Sequence, residues 1–359
     1  MPTASLIDLP AIQQRWTAWW QHELDDRPVL MLRAPRQDVA PDPSLAVDPV
    51  TFWCDAAYRT RLAEHQLRST LLLGEALPSC WNPISAGHSL YYGARPHFLP
   101  DTVFVEPALC PADTYPDLSR WRSSTWYHLA RAQHTAFAHA SRGRWAVPPF
   151  FGNHEGDTLA LILGMERFYL ELVACDGEPS PWLLAALAQL SADLVEVHRE
   201  LDRLVAPAIT GFPGSYNHIG PWSPTSTLFY DCDVSCNLSP RLFQRYFLPL
   251  QVQAMLAVDH RLYHLDGPRA LVHLDSLLGT PEIQAIQWVP GAGECEIAQW
   301  FPLLASIQRA GKSLLIYLQP SELDSVLSAL RDHTLRPEGL ALDIGCRNEG
   351  EAYGCLGKV

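Results

Sequence analysis

Arg261-Leu262-Tyr263-His264-Leu265-Asp266-Gly267-Pro268, running on into the amphipathic Arg269–Leu278, reads as one strand-to-helix unit. An apolar stretch stops at Gly-Pro, a helix-start signal, and a helical pattern follows. In an extended segment the period of two aims His264 and Asp266 to the same side, where the strand ends. The same rhythm continues on both sides. Candidate strands are Arg144–Phe151, Val205–Phe212, Thr227–Tyr230, Arg261–Leu265, Ile283–Val289, Ser313–Leu318 and Gly339–Ile344. Between them lie candidate helices, among them Arg241–Ala257 after Ser239-Pro240 and Leu323–Asp332 after Ser321-Glu322. From Val205 onward strand starts recur every roughly 22–35 residues, the spacing of successive βα units and a parallel sheet.

This pattern predicts an α/β fold, specifically a (β/α)8 TIM barrel forming a single domain over residues 1–359, with a helical or irregular N-terminal extension over 1–60. The missing strands are expected from Arg27–Arg33 or the Leu71–Leu73 run. At 359 residues, 48% hydrophobic and 18% charged, with no run of like charges, the chain can bury a large core. A formal net charge of −13 and 26 scattered Lys and Arg residues argue against a nucleic-acid partner. Charged residues interrupt the Trp16, Trp19, Trp20 region before a signal or membrane segment could form, so no membrane partner and a cytoplasmic location are expected. Nine cysteines, odd in number and without a CxxC pair, read as reduced thiols.

In such a barrel the chemistry sits where strands end. Those positions hold Asn153, His154, Glu155 and Asp157; Ser215, Tyr216, Asn217 and His218; Asp231, Cys232 and Asp233; His264 and Asp266; Gln287 and Trp288; Gln319; and Cys346. His264, Asp266 and the distant Cys346 form a candidate three-ligand metal site with one position open to a substrate. Set against this, Asp266 can cap the helix that starts near Pro268, His264 can donate to a backbone carbonyl, and Cys346 can be a buried apolar residue. Cys295 and the Cys232/Cys236 pair are weaker ligand candidates. Glu75, His218 and Asp231 are the candidate catalytic groups in the mouth, with Glu155 beside them as a further acid or base. Tyr216 and Trp288 are candidates to stack on a planar cofactor or ligand. Gly211-Phe-Pro-Gly214 and Pro290-Gly-Ala-Gly293 match no phosphate-binding fingerprint.

At these residues the chain resembles the uroporphyrinogen decarboxylase superfamily. Leu71-Leu-Leu-Gly-Glu-Ala-Leu-Pro78, Phe229-Tyr-Asp-Cys-Asp-Val-Ser-Cys-Asn-Leu-Ser-Pro-Arg-Leu-Phe243 and His264-Leu-Asp-Gly267 carry the likeness, which runs from about residue 60. The Arg-Gln-Ala-Gly-Arg and C-terminal His-Gly motifs of true decarboxylases are missing, with Arg33-Ala-Pro-Arg36 and Gly350–Val359 in their places. The chain is more similar to the corrinoid-linked branch, in which zinc held by His-x-Cys and a Cys about eighty residues later activates a thiol. Here Asp266 replaces the first of those cysteines.

The resemblance implies a zinc-dependent methyltransferase that moves a methyl group between a corrinoid (cobalamin) and a small thiol or related acceptor, with a separate corrinoid protein as partner. Two alternatives stand beside it. One is a metal-independent decarboxylase or lyase of the same barrel, using His264 and Asp266 as acid and base; the other is a non-catalytic small-molecule-binding relative.

Overall fold

The structure is a computed structural model that describes residues 8–359 except 43, 45, 82–83, 85–86, 112–113, 150–152 and 292–295. In chain order its strands are β1 Val29–Pro35, β2 Thr70–Gly74, β3 Arg95–Phe98, β4 Val103–Glu106, β5 Ser215–Tyr216 and β6 Trp222–Ser223. They continue with β7 Thr227–Tyr230, β8 His260–Asp266, β9 Ala285–Val289, β10 Ser313–Leu318 and β11 Leu340–Gly345. A seven-stranded sheet runs in the order β2-β1-β11-β10-β9-β8-β7, while β3–β4 and β5–β6 are small hairpins. All pairs of the large sheet are parallel except β1–β2, and the hydrogen-bonded ladder does not close on itself among the described residues.

Both candidates for the missing strands are present, as β1 and β2. The last five candidate strands fall on β7 to β11. Val205–Phe212 instead holds a short helix, Pro207–Thr210, because Pro207 opens a helical turn and Gly211, at φ 71°, ends it in the left-handed region. Arg144–Phe151 lies partly outside the described residues, and its Ala146 makes only an isolated parallel bridge to Ser79. The helix expected over Arg241–Ala257 is interrupted by a wide turn at Phe243–Phe247 just before Pro249, whose missing N–H cannot bond back in a regular helix.

Alternation along the strands sorts their side chains onto two faces. Leu30, Leu32, Tyr263, Leu265, Ile286, Trp288, Leu314, Ile316, Leu342 and Ile344 pack against the long helices, including Glu155–Leu163 and Pro181–Leu204. On the opposite, inner face, Val29, Met31, Leu262, Ala285, Leu315 and Ala341 pack with Leu77, Ala146, Phe212 and Tyr216 and with the helix Leu9–Gln21.

That N-terminal helix seals the amino ends of the strands. Asp8 caps it through Ala11 N–H. Trp16 donates to the Glu75 carbonyl at 3.2 Å, Trp20 to the Trp222 carbonyl at 3.0 Å, and the Ser313 hydroxyl to the Trp19 carbonyl at 2.8 Å. Trp16 and Trp19 are fully buried, each worth about 3–5 kcal/mol against truncation to Ala. With this end sealed, the carboxyl ends are where polar side chains can gather. No helix among the described residues is long and apolar enough to cross a membrane.

Candidate functional site

Polarity on the inner face rises toward the carboxyl ends, where Arg33, Asp343, Tyr317, Gln287, His264 and Asp266 follow the apolar residues of the same strands at the period of two. The register sets them side by side: His264 opposite Gln287, Tyr317 opposite Asp343, and Met31 opposite Asp343. At one end of this rim Arg33 Nη1 pairs with Asp343. Burial pushes the Asp343 carboxyl up and Arg33 opposes it.

The metal-competent cluster consists of Asp233, His264 and Asp266, whose ligating atoms all lie within 4.8 Å of one another. His264 and Asp266 come from the end of β8, and Asp233 opens the short helical turn after β7. That turn is fixed by Asp157, which accepts from the amides of Asp233 at 3.0 Å and Val234 at 2.8 Å. Asp157 itself sits in the first turn of the helix Glu155–Leu163, where the helix dipole favours acids. His264 Nδ1 stands 2.6 Å from Gln287 Oε1. With Nδ1 donating to Gln287, Nε2 keeps its lone pair for a ligand or proton. Asp266 precedes a helix yet makes no capping bond, so neither the capping role nor a backbone-carbonyl partner accounts for this pair. Burial, with Asp231 and Asp266 repelling, pushes Asp233 up to about 6 against the pull of His264 and His154.

Beside the cluster, Asp231 Oδ1 is 2.5 Å from His154 Nδ1, and the His154 ring stacks on Tyr230 at 3.8 Å. Burial alone would raise Asp231, but His154 and His264 outweigh it and hold the carboxyl below its ordinary range. Behind, the Tyr230 hydroxyl donates to the fully buried Glu155, whose carboxyl burial pushes up. His218 packs edge-on against Phe229 at 4.6 Å, and Phe229 lies 5.2 Å from the His264 ring. Burial drives the His218 imidazole down to about 3, so the ring is neutral at pH 7.

Of the residues singled out in the sequence, the structure therefore brings together His264, Asp266, Asp231 and His218. Cys346 is placed elsewhere. It continues the outer row of Leu342 and Ile344, packs with the helix-side core, and shares a thiol hydrogen bond with Cys355 that, after burial, helps push it up to about 12. The third donor beside His264 and Asp266 is Asp233.

Glu75 is also remote. Because β2 runs antiparallel to β1, the residue after it lies at the sealed amino ends, where Glu75 accepts from Arg27 at 2.7 and 3.0 Å, from Leu30 N–H at 2.7 Å, and pairs with Arg15 at 3.1 Å. Trp288 is fully buried on the outer face, 5.0 Å from Trp300, and does not face the rim. Tyr216 is buried on the inner face, its hydroxyl engaged by the Leu77 carbonyl at 3.4 Å and by Ser79 and Arg33. Cys295 and the end of the Pro290–Gly293 loop lie outside the described residues. Asp233 and Gln287 could have been ranked higher from sequence: Gln287 is the one polar residue in Ala285–Val289, opposite His264 in any parallel register that aligns the two strand ends.

Comparison with protein-family models, with curated proteins and with solved structures finds no match to this chain.

Proposed function

We propose that the protein is an enzyme in which a divalent metal, zinc foremost, is held by Asp233, His264 and Asp266 at the mouth of a (β/α)8 barrel, and that it transfers a methyl group between a corrinoid and a small thiol. The observation that carries the reading is the convergence within 4.8 Å of three donors, two from the end of β8 and one from the turn after β7, on the polar rim of the sheet. Support for the closed barrel comes from the inner face, where Leu77, Ala146, Phe212 and Tyr216 pack in one cluster with side chains from β1 and β8 to β11. In sequence these segments lie between β2 and β7, and Ala146 makes a parallel bridge to Ser79. The reaction itself rests on the resemblance to the uroporphyrinogen decarboxylase superfamily.

Two carboxylates and an imidazole are a donor set that would hold zinc, although the oxygen-rich set also suits manganese or magnesium. A metal there would supply the Lewis acidity that keeps a thiol ionised at neutral pH. The chain's own residues do the rest. Gln287 fixes the His264 ring, Asp157 fixes the turn bearing Asp233, and Asp231, kept ionised by His154, holds a negative charge beside His264. Neither cavity that reaches Arg33, about 230 and 590 Å³, encloses a molecule of corrinoid size. The donor would be presented from outside by a separate corrinoid protein.

The placement of Cys346 favours a second reading, a lyase that uses His264 and Asp266 as acid and base without metal, because the thiolate expected of the methyltransferase site faces the helices. Elemental analysis separates the two. Zinc at one per chain, falling to background in His264→Ala, supports the metal reading; absence of metal, or metal unchanged in that variant, overturns it. Methylcobalamin is then incubated with the protein and a panel of small thiols while the cobalt–carbon absorbance is followed. Carbon dioxide release from a carboxylated substrate without demethylation would move the assignment to the lyase, and cobalamin binding without turnover to a non-catalytic relative.

A further inference from the structure

Two cavities meet at Arg33. The first, about 230 Å³, has Leu67, Leu72, Trp81 and Trp145 as apolar walls and Gln66 and Ser79 as polar points. The second, about 590 Å³, lies past the end of β1, where Arg36, His65 and Ser69 face it. Arg33 and Thr70 line both. The chain carries 39 acidic against 26 basic residues, yet none of the described residues lining either cavity is acidic. With Asp343 on Arg33 and Asp42 near His65 as acids just behind the lining, the surface that meets a ligand carries only basic and neutral groups, which favours an anion over a cation.

The guanidinium of Arg33 is pre-set for such a ligand. Asp343 holds Nη1 and the Tyr216 hydroxyl also meets the guanidinium, so the group is held in place, while Nη2 has the Met31 thioether at 3.7 Å, a weak acceptor. The side chain remains 32% exposed. A carboxylate oxygen arriving there gains a charge-assisted hydrogen bond in place of a sulfur contact.

We propose that these cavities form a binding site for a small monocarboxylate with a compact apolar body, its carboxylate on Arg33 and its body against Trp81 and Trp145. Inorganic phosphate fits less well, because Asp343 already occupies one side of the guanidinium and offsets part of its charge. Trp81 also stands 6.2 Å from the His218 ring, which leads by way of Phe229 to His264, so the chamber adjoins the polar rim. The inference stands on the cavity walls and not on the metal reading, and the ligand is expected to bind with or without a metal.

The test is isothermal titration calorimetry of the full chain, with and without a chelator, using hexanoate and benzoate, their neutral counterparts hexanamide and benzamide, and inorganic phosphate. The carboxylates are expected to bind at least about tenfold more tightly than the amides and than phosphate. The double variant Arg33→Gln/Asp343→Asn, which swaps the ion pair for a neutral pair of similar shape, should lose at least about tenfold in carboxylate affinity, while Arg245→Gln on the exposed surface should lose none. No binding of either carboxylate, equal binding of the amides, tighter binding of phosphate, or full affinity in a folded double variant would overturn the proposal. If the double variant does not fold, the carboxylate-to-amide ratio of the unaltered protein decides alone.

Discussion

Replacing Glu75 by Gln tests the placement of this residue at the sealed end of the sheet. Its carboxylate, 4% exposed, takes two bonds from Arg27, one from the Leu30 amide and the ion pair from Arg15, whose side chains are 27% and 20% exposed for the two arginines in that order. Glutamine keeps the shape but not the charge. One of its terminal atoms becomes an NH2 that faces donors, so at least one guanidinium contact is lost and two half-buried cations lose their buried counter-charge, with only the exposed Asp26 left beside them. Breaking a buried pair from one side costs about 3–5 kcal/mol, a large part of the roughly 5–15 kcal/mol that holds a domain folded. The assay is urea unfolding followed by tryptophan fluorescence, in which the midpoint should fall while the slope stays constant. Native protein at low temperature should keep its metal content, because Glu75 lies away from the rim. A loss below about 1 kcal/mol, as for a surface pair, or loss of metal from the folded variant, would refute the reasoning.

Three further outcomes follow from the same geometry. Gln287→Leu removes the partner of His264 Nδ1 and should weaken zinc binding by about 10–100-fold without unfolding the chain, measured by competition with a chromogenic chelator; unchanged affinity would show that Gln287 does not orient the ring. Cys346→Ser should leave zinc content unaltered, and its loss would restore the cysteine to the ligand set. Burial holds His88 down to about 3, so between that value and the 6.5 of the unfolded chain the unfolded state binds the extra proton; stability is full near neutrality and falls with acidification by up to about 1.4 kcal/mol per pH unit from this group. His88→Gln should flatten the dependence of unfolding free energy on pH between about 4 and 6.5, and an unchanged slope would exclude His88 as a source.

Alternation and punctuation in the sequence determined most of the sheet. Five candidate strands coincide with β7 to β11 because each is an apolar run bounded by turn residues, and the spacing between them leaves room for a returning helix. The same alternation determined that His264 and Asp266 share a side. What it could not determine is which residues of other strands face them. Val205–Phe212 has a strand's hydrophobicity, but Pro207 and Gly211 bracket a single helical turn within it.

Cys346 is three residues beyond Asp343, an odd step that puts the two on opposite faces, yet only the register of β11 against β1 and β10 reveals that Asp343 is the inner one. Glu75 ends a strand like the others, and only the antiparallel pairing of β2 puts that end at the opposite rim. Asp233 joined the cluster because Asp157, 76 residues earlier, ties down its turn. Strand periodicity is local and is written in the chain, whereas direction, register and contacts across many residues are settled only when the sheet assembles, and the composition of the site depends on all three.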